Sequence, residues 1–227
     1  MRLLILLTCF IVPATFAYPV GQYAGFGMGY TWTQATFNDQ TRTLGATREV
    51  PSHSDVSDAS LPWQAYYGFR FHPNYGIEVG YMNYGSIEFR KTLTTFDDSQ
   101  STITKTSVRD AEVSSSGFFL QHVLSYPLLS HFVVQARAGI LIGSTHYSDL
   151  ETLTTTSDDT GTVTIVQPNS TDDGFIKEQL ALSVLYQSSK SWYWRLQVNQ
   201  LDVKHSEEKE SFTQWFTSLS LEYQLED

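Results

Sequence analysis

Residues Tyr23 to Thr33 read YAGFGMGYTWT, and the stretch alternates residue by residue. Ala24, Phe26, Met28, Tyr30 and Trp32 share one face of an extended chain; Gly25, Gly27, Gly29, Thr31 and Thr33 share the other. Side chains of a strand point to opposite faces with period two, so one strand here meets two environments. A soluble sheet sets bulky residues against a core and charged ones against water. This strand instead sets bulk against glycine. The pattern suits a narrow, crowded interior with the large side chains turned outward into lipid, as in a transmembrane β-barrel.

The rest of the chain extends that reading. Seven more segments of about ten residues follow, near the length a tilted spanning strand needs. They are Leu61–Phe71, Gly76–Gly85, Val113–Leu124, Phe132–Gly143, Phe175–Tyr186, Trp192–Leu201 and Phe212–Leu225, and the first strand runs over Gln22–Gln34. Connections alternate between short (His72–Tyr75, Ser125–His131, Gln187–Ser191) and long (Ala35–Ser60, Ser86–Glu112, Ser144–Gly174, Asp202–Ser211). Short turns on one side and long loops on the other is an outer-membrane layout. The expected fold class is all-β, an eight-stranded antiparallel up-and-down transmembrane barrel. Thr-, Ser- and Asp-rich runs such as Asp97–Thr102 and Thr154–Asp159 mark the long loops as solvated. Alternation in Thr102–Val108 and Thr162–Val166 hints that some of this length prolongs the barrel above the membrane.

Arg2, the apolar run Leu3–Val12 and Thr15-Phe16-Ala17 form an export signal over residues 1–17, with the barrel domain over 18–227. Cys9 follows Thr8, a poor context for a lipoprotein, and its removal with the signal leaves no thiol for disulfides or metal. Aromatic residues reach 14%, suited to two interfacial girdles. The formal charge of −10 disfavours nucleic acid. Mean hydropathy of −0.22 is compatible with a barrel because only alternate residues face lipid.

The outward parity places Trp32, Trp63, Trp192, Trp194, Trp215 and Tyr223 near strand ends, where amphipathic rings favour the interface. Val113–Leu124 is ambiguous; its even residues are read as outward, with His122 the discordant member. The inward parity carries Arg70, Glu78, Arg137, Arg195 and Glu222, accompanied by Gln64, Gln135, Gln179, Gln197 and Asn199. Charges in a low-dielectric interior must pair, and arginine forks match carboxylates. The expectation is a lumen charge network that, with Tyr66, Tyr84, Tyr193 and Phe216, plugs the barrel.

AGFGMGYTW, Ile77–Gly85 (IEVGYMNYG), Phe132–Gly143 (FVVQARAGILIG) and Ser218–Leu225 (SLSLEYQL) together resemble the OmpA-like family of eight-stranded outer-membrane barrels. The resemblance covers the mature chain. It implies the bacterial outer membrane, a monomer, contact with outer-membrane lipids and lipopolysaccharide, and insertion by the outer-membrane assembly machinery. Small members imply surface roles such as adhesion, colonisation, virulence or resistance to host defences, exercised through loops 35–60, 86–112 and 144–174. Leu225 stands where such barrels usually end in an aromatic residue, and only Glu226 and Asp227 follow, so no periplasmic domain is expected.

Two other functions compete with a surface role. His146-Tyr147-Ser148, with Glu151 nearby, resembles the His-x-Ser pair of lipid A deacylases, and a base beside a hydroxyl is the arrangement such chemistry needs. The spacing of His122 and Ser125 does not fit, and His205 beside Glu207 and Glu208 reads as solvated. A narrow small-solute channel would need a continuous lumen. No cofactor or metal is expected; Asp172-Asp173 reads as a solvated acidic pair that would hold calcium only weakly.

Overall fold

The structure, a computed structural model, describes residues 19–36, 42–44, 47–53, 56–58, 60–97, 102–157, 161–205 and 210–225. The expected export signal lies outside the described residues. Eight long strands form a closed antiparallel ring: β1 (Gly21–Thr36), β5 (Trp63–His72), β6 (Tyr75–Asp97), β7 (Thr102–Leu129), β8 (Phe132–Ser157), β9 (Gly161–Gln187), β10 (Trp192–His205) and β11 (Glu210–Gln224). Each pairs with its chain neighbour, and β1 pairs with both β5 and β11 to complete the ring. Short strands β2 (Arg42–Leu44), β3 (Thr47–His53) and β4 (Ser57–Asp58) lie within the first long connection; β2 pairs with β3, and β3 and β4 with β6. An eight-stranded ring encloses just enough space for side chains.

Burial alternates as the sequence pattern requires. Phe26, Met28, Tyr30, Phe118, Leu180, Leu182 and Leu219 are exposed on the outer wall, while Tyr23, Tyr66, Leu185 and Phe216 fill the inside. The even residues of β7 face outward, including His122. Its lipid-facing position is made tolerable by Tyr75, whose hydroxyl lies 2.6 Å from His122 Nδ1 and whose ring stacks on the imidazole. Outer-wall aromatics cluster across strands. Trp32 stacks on Trp215 at an interplanar angle of 6°, Trp63 packs on Phe26 and Tyr81, and Trp192 packs on Tyr223.

The strands outrun their expected bounds. Three of the stretches read as long loops are mostly ladder: β6 and β7 are paired out to Asp97 and Thr102, β8 and β9 to Ser157 and Gly161, β10 and β11 to His205 and Glu210. The stretch read as a turn over Ser125–His131 is also largely strand, since β7 runs to Leu129. The polar composition misled because the outer ends of these segments, such as 161–170, are exposed on both faces and need no apolar side. Threonine and valine favour extended backbone, and cross-strand threonine pairs such as Thr154 with Thr164 support the ladder.

One irregularity re-aims a strand. In β6 the pairing with β7 shifts between Asn83 and Ser86, where Gly85 adopts φ = 81° and donates its N–H to Asn83 Oδ1. This β-bulge inserts a residue and inverts the parity. Below it Glu78, Met82 and Tyr84 face inward; above it Ile87 and Phe89 do.

Candidate functional site: a charged lumen beneath an extended strand wall

Every strand of the ring contributes to one buried polar layer. Tyr23 comes from β1, Arg70 from β5, Glu78 from β6, Gln121 from β7, Arg137 from β8, Ser183 from β9, Arg195 from β10 and Glu222 from β11. Arg70 and Arg195 both donate to Glu222, one to each carboxylate oxygen. The same Nη2 of Arg195 lies 2.9 Å from Glu78 Oε2. Glu78 further accepts from the Tyr23 hydroxyl at 3.1 Å and from Gln121 Nε2 at 2.7 Å. Arg137 stands apart: its Nε is 3.7 Å from Glu78, and its hydrogen bonds go to the neutral Gln135 and Ser183. Two tyrosine rings floor the guanidinium groups, Tyr23 at 3.9 Å from Arg70 Cζ and Tyr66 at 4.0 Å from Arg195 Cζ.

An amide layer shares the interior. Gln64 donates to Ser218 and Ser220, and Gln197 donates to Gln64. Asn199 and Gln179 direct their amide nitrogens at Met82 Sδ and the Tyr84 hydroxyl. Beyond the bulge the interior turns apolar. Ile87, Phe89, Val113, Leu201 and Phe212 are buried there, with Phe89 and Phe212 ring centroids 5.4 Å apart. This apolar section of the plug escaped the sequence reading, because the inverted parity after Gly85 puts Ile87 and Phe89 on the wrong face of an unbroken strand. A glycine after Asn-Tyr was the available signal.

The extended ladders form a wall that continues past the apolar belt. Across β6 to β9, two rows of outward side chains flank an open groove of about 900 Å³, with Glu88, Glu112 and Ser148 on one side and Arg90, Asp110 and Leu150 on the other. Arg90 pairs with Asp110 at 2.5 Å on the outside, while Arg109 pairs with Asp149 at 2.9 Å inside. His146 and Ser148 share the outer face of β8. The acid that meets His146 is Asp172, at 2.7 Å, and not Glu151, which accepts from Ser107 and lies near Arg109. Asp172 and Asp173 point to opposite faces of β9 by strand alternation. Among the described residues no three histidine or acidic side chains converge as metal ligands. The side chain of His205, with Glu207 and Glu208, lies outside what the structure describes.

The sequence profile of the OmpA-like transmembrane domain matches residues 18–225, which is the whole ring of strands. The chain belongs to the OmpA-like transmembrane domain family. It is therefore a transmembrane β-barrel of the bacterial outer membrane. No curated protein matches it in sequence. Similar solved structures include Ail, the attachment invasion locus protein of Yersinia pestis, in complex with the heparin analogue sucrose octasulfate. That likeness has 9% identity and a TM-score of 0.42, covering 89% of this chain and 99% of that one. The outer membrane protease OmpT of Escherichia coli is similar at 10% identity and a TM-score of 0.48, covering 90% and 97%. OprG of Pseudomonas aeruginosa is similar at 9% identity and a TM-score of 0.37, covering 92% and 99%.

Proposed function

We propose that this OmpA-like barrel is a non-conducting membrane scaffold that presents its extracellular wall to a ligand outside the cell, in adhesion or colonisation. The observation that carries the reading is the length of the hairpin formed by β8 and β9. From Ile142, in the exposed apolar belt, β8 runs on to Ser157 with its ladder to β9 intact. That is roughly 50 Å of strand beyond what the hydrocarbon requires, at about 3.3 Å per residue. A segment this long, with Thr162, Thr164 and Ser170 exposed and a groove across its outer face, has no role in spanning lipid. The buried charge layer and the Phe89–Phe212 section occupy the lumen, which supports scaffold over channel. Lipid and lipopolysaccharide contact the apolar belt, and residues 1–17 act as an export signal cleaved before Tyr18. N-terminal sequencing of the membrane-inserted protein reads that cleavage directly.

The test excises Leu150–Pro168 and rejoins Asp149 to Asn169, which face each other in the ladder, through an Asn-Gly turn. Bacteria displaying the shortened barrel are expected to keep its heat-modifiable gel mobility and to lose attachment to host cells or matrix. Attachment that survives this excision, and equivalent shortening of the hairpin of β6 and β7, overturns the reading.

A further inference from the structure

The ring does not stay closed along its whole height. β9 pairs with β10 from Gln187 to Ala181, and there that ladder stops. β9 runs on to Gly161, held on one side by β8, while β10 continues beside β11 to His205. Among the described residues no strand pairs with the other edge of β9 beyond Ala181. From Gly161 to Asp172 every residue is exposed, on both faces of the strand. Val163, Ile165 and Val166 are 51%, 47% and 55% exposed. An unpaired edge presents a row of N–H and C=O groups, which is a template for another strand.

Sheet edges are ordinarily protected by charge, proline or a bulge. Pro168 interrupts this one, and Asp172, Lys177 and Glu178 supply charge nearer the belt. Thr162–Gln167 (TVTIVQ), between Pro168 and the tip of the hairpin, has none of these devices. Five of its six residues are β-branched and none is charged, in a chain of formal charge −10. Short neutral segments of high β-propensity pair with copies of themselves. Two copies of an acidic chain repel each other except where uncharged surfaces meet, and this edge is such a surface.

Symmetry fixes how two copies can meet on it. Like edges form a ladder only when antiparallel, because a twofold axis along the strand would set N–H against N–H. Copies inserted in one membrane point the same way, so their β9 strands run the same way and cannot pair so. Copies in two facing membranes are inverted relative to each other. Their β9 edges are antiparallel as they approach tip first.

We propose that Thr162–Gln167 pairs edge to edge with the same segment of a second copy on a neighbouring cell, joining cells that carry the protein to each other. A twofold axis through Thr164 sets Val163 of each copy opposite Ile165 of the other, and Thr162 opposite Val166. The two sheets become one across the gap between the cells, by strand addition. The assignment rests on the wall's lying outside the cell, as in the proposed function, and not on any host ligand.

The test expresses the full chain in bacteria that do not otherwise clump, in two populations with different fluorescent labels. Wild-type cells of both colours are expected to sediment together in mixed clumps, and cells lacking the protein are expected to stay out of them. Val163→Lys with Ile165→Lys sets like charges opposite each other and should abolish clumping, as should Val163→Glu with Ile165→Glu. Mixing the two variant populations opposes lysine to glutamate and should restore clumps that contain both colours. Heat-modifiable gel mobility reports that each variant is folded in the membrane. Wild-type cells that stay dispersed overturn the proposal, as do clumps that recruit cells lacking the protein. Folded variants that clump alone, or that stay dispersed when mixed, overturn it as well. If a variant fails to insert, the make-up of the wild-type clumps decides alone. Attachment of the same strains to host cells or matrix is scored separately, so the reading of the wall as a host adhesin can fail while the edge pairing holds, and the reverse.

Discussion

The ring of Tyr66 occupies the space a side chain on Gly25 would need. The two residues are directly opposed on β5 and β1, and a Cβ at Gly25 would lie 2.2 Å from Tyr66 Cζ. Two rungs away the relation is reversed: Tyr23 is opposed to Gly68, where a Cβ would lie 2.1 Å from Tyr23 Cζ. Each tyrosine lies flat across its glycine and offers its other face to a guanidinium, Tyr66 to Arg195 and Tyr23 to Arg70. The alternating glycines of the first strand thus set the depth at which the charge layer rests. Glycine gives the wall, tyrosine the floor, and arginine the layer above it.

Alanine at Gly25 should therefore act through Tyr66. The ring is buried and held between strand and guanidinium, so it has little freedom to yield. The expected cost is about 1–3 kcal/mol, the range for overpacking. Urea unfolding in micelles measures it. Truncating Tyr66 to alanine in the Gly25→Ala background should recover part of the loss relative to the sum of the two single variants. Additive effects would show that the ring and the glycine are not coupled.

The alternation that made β1 readable also set the limits of that reading. Period-two patterning with one apolar face marks a strand only where lipid lies on one side. The eight spanning segments were therefore legible, and so was the parity of Arg70, Glu78, Arg137, Arg195 and Glu222. Beyond the bilayer the contrast fades, so the run Thr154–Asp159 reads as solvated loop, and only the alternation in Thr102–Val108 and Thr162–Val166 hints at a strand that continues. The bulge at Gly85 breaks the count inside one strand, so Ile87 and Phe89 could not be placed by extending the parity of Glu78. Which arginine meets which glutamate depends on the shear of the ring, and strand spacing along the chain holds no record of shear.

Replacing Glu222 by glutamine leaves Arg70 and Arg195 without their shared carboxylate. Removal of one partner of a buried ion pair costs about 3–5 kcal/mol, because the other charge stays in place. Here two guanidinium groups lose a shared carboxylate, while Arg195 keeps Glu78 at 2.9 Å. Arg70→Gln in the same chain removes one of them and should restore part of the stability. The urea midpoints of the single and double variants decide the point. A double variant less stable than Glu222→Gln would contradict the pairing.

On the outer wall, Tyr75→Phe should destabilise more than its lost contact suggests. His122 faces lipid, and the Tyr75 hydroxyl is the polar group beside it. A polar atom left unsatisfied in an apolar setting costs about 1–3 kcal/mol. The double variant Tyr75→Phe, His122→Leu removes both polar groups and should be more stable than Tyr75→Phe alone, as read by thermal unfolding on semi-native gels.

The hydrolase alternative makes a sharp counter-prediction. His146 and Asp172 form an exposed pair on the outer wall, with Ser148 on the same face of β8. Exposure leaves such a pair in open water rather than in the dry pocket that activates a nucleophile. Ser148→Ala and His146→Ala are expected to leave the acyl composition of lipid A unchanged, as measured by mass spectrometry of cells expressing each variant. A shift in acyl number with wild type that either variant abolishes would establish an enzyme.

Conductance tests the plug itself. Ions crossing the lumen would have to pass the charge layer, then Met82, Tyr84 and Phe216, then Phe89 and Phe212. Tyr84 and Phe216 meet edge to face at 5.9 Å, and the Phe89 and Phe212 rings pack tilted at 5.4 Å, so the side chains of β6 and β11 touch across the interior. Wild type in a planar bilayer is expected to show no large, steady open state. Phe216→Ala with Phe212→Ala removes two rings from one strand and widens the apolar section, yet leaves Arg195 and Glu222 in place. Only brief, small openings are expected from that variant, because the charge layer still closes the lumen. Adding Glu222→Gln loosens both barriers and should raise conductance further. Steady conductance in wild type would refute the plugged lumen, and a steady pore from the aromatic variant alone would place the seal in the ring section rather than in the ion pairs.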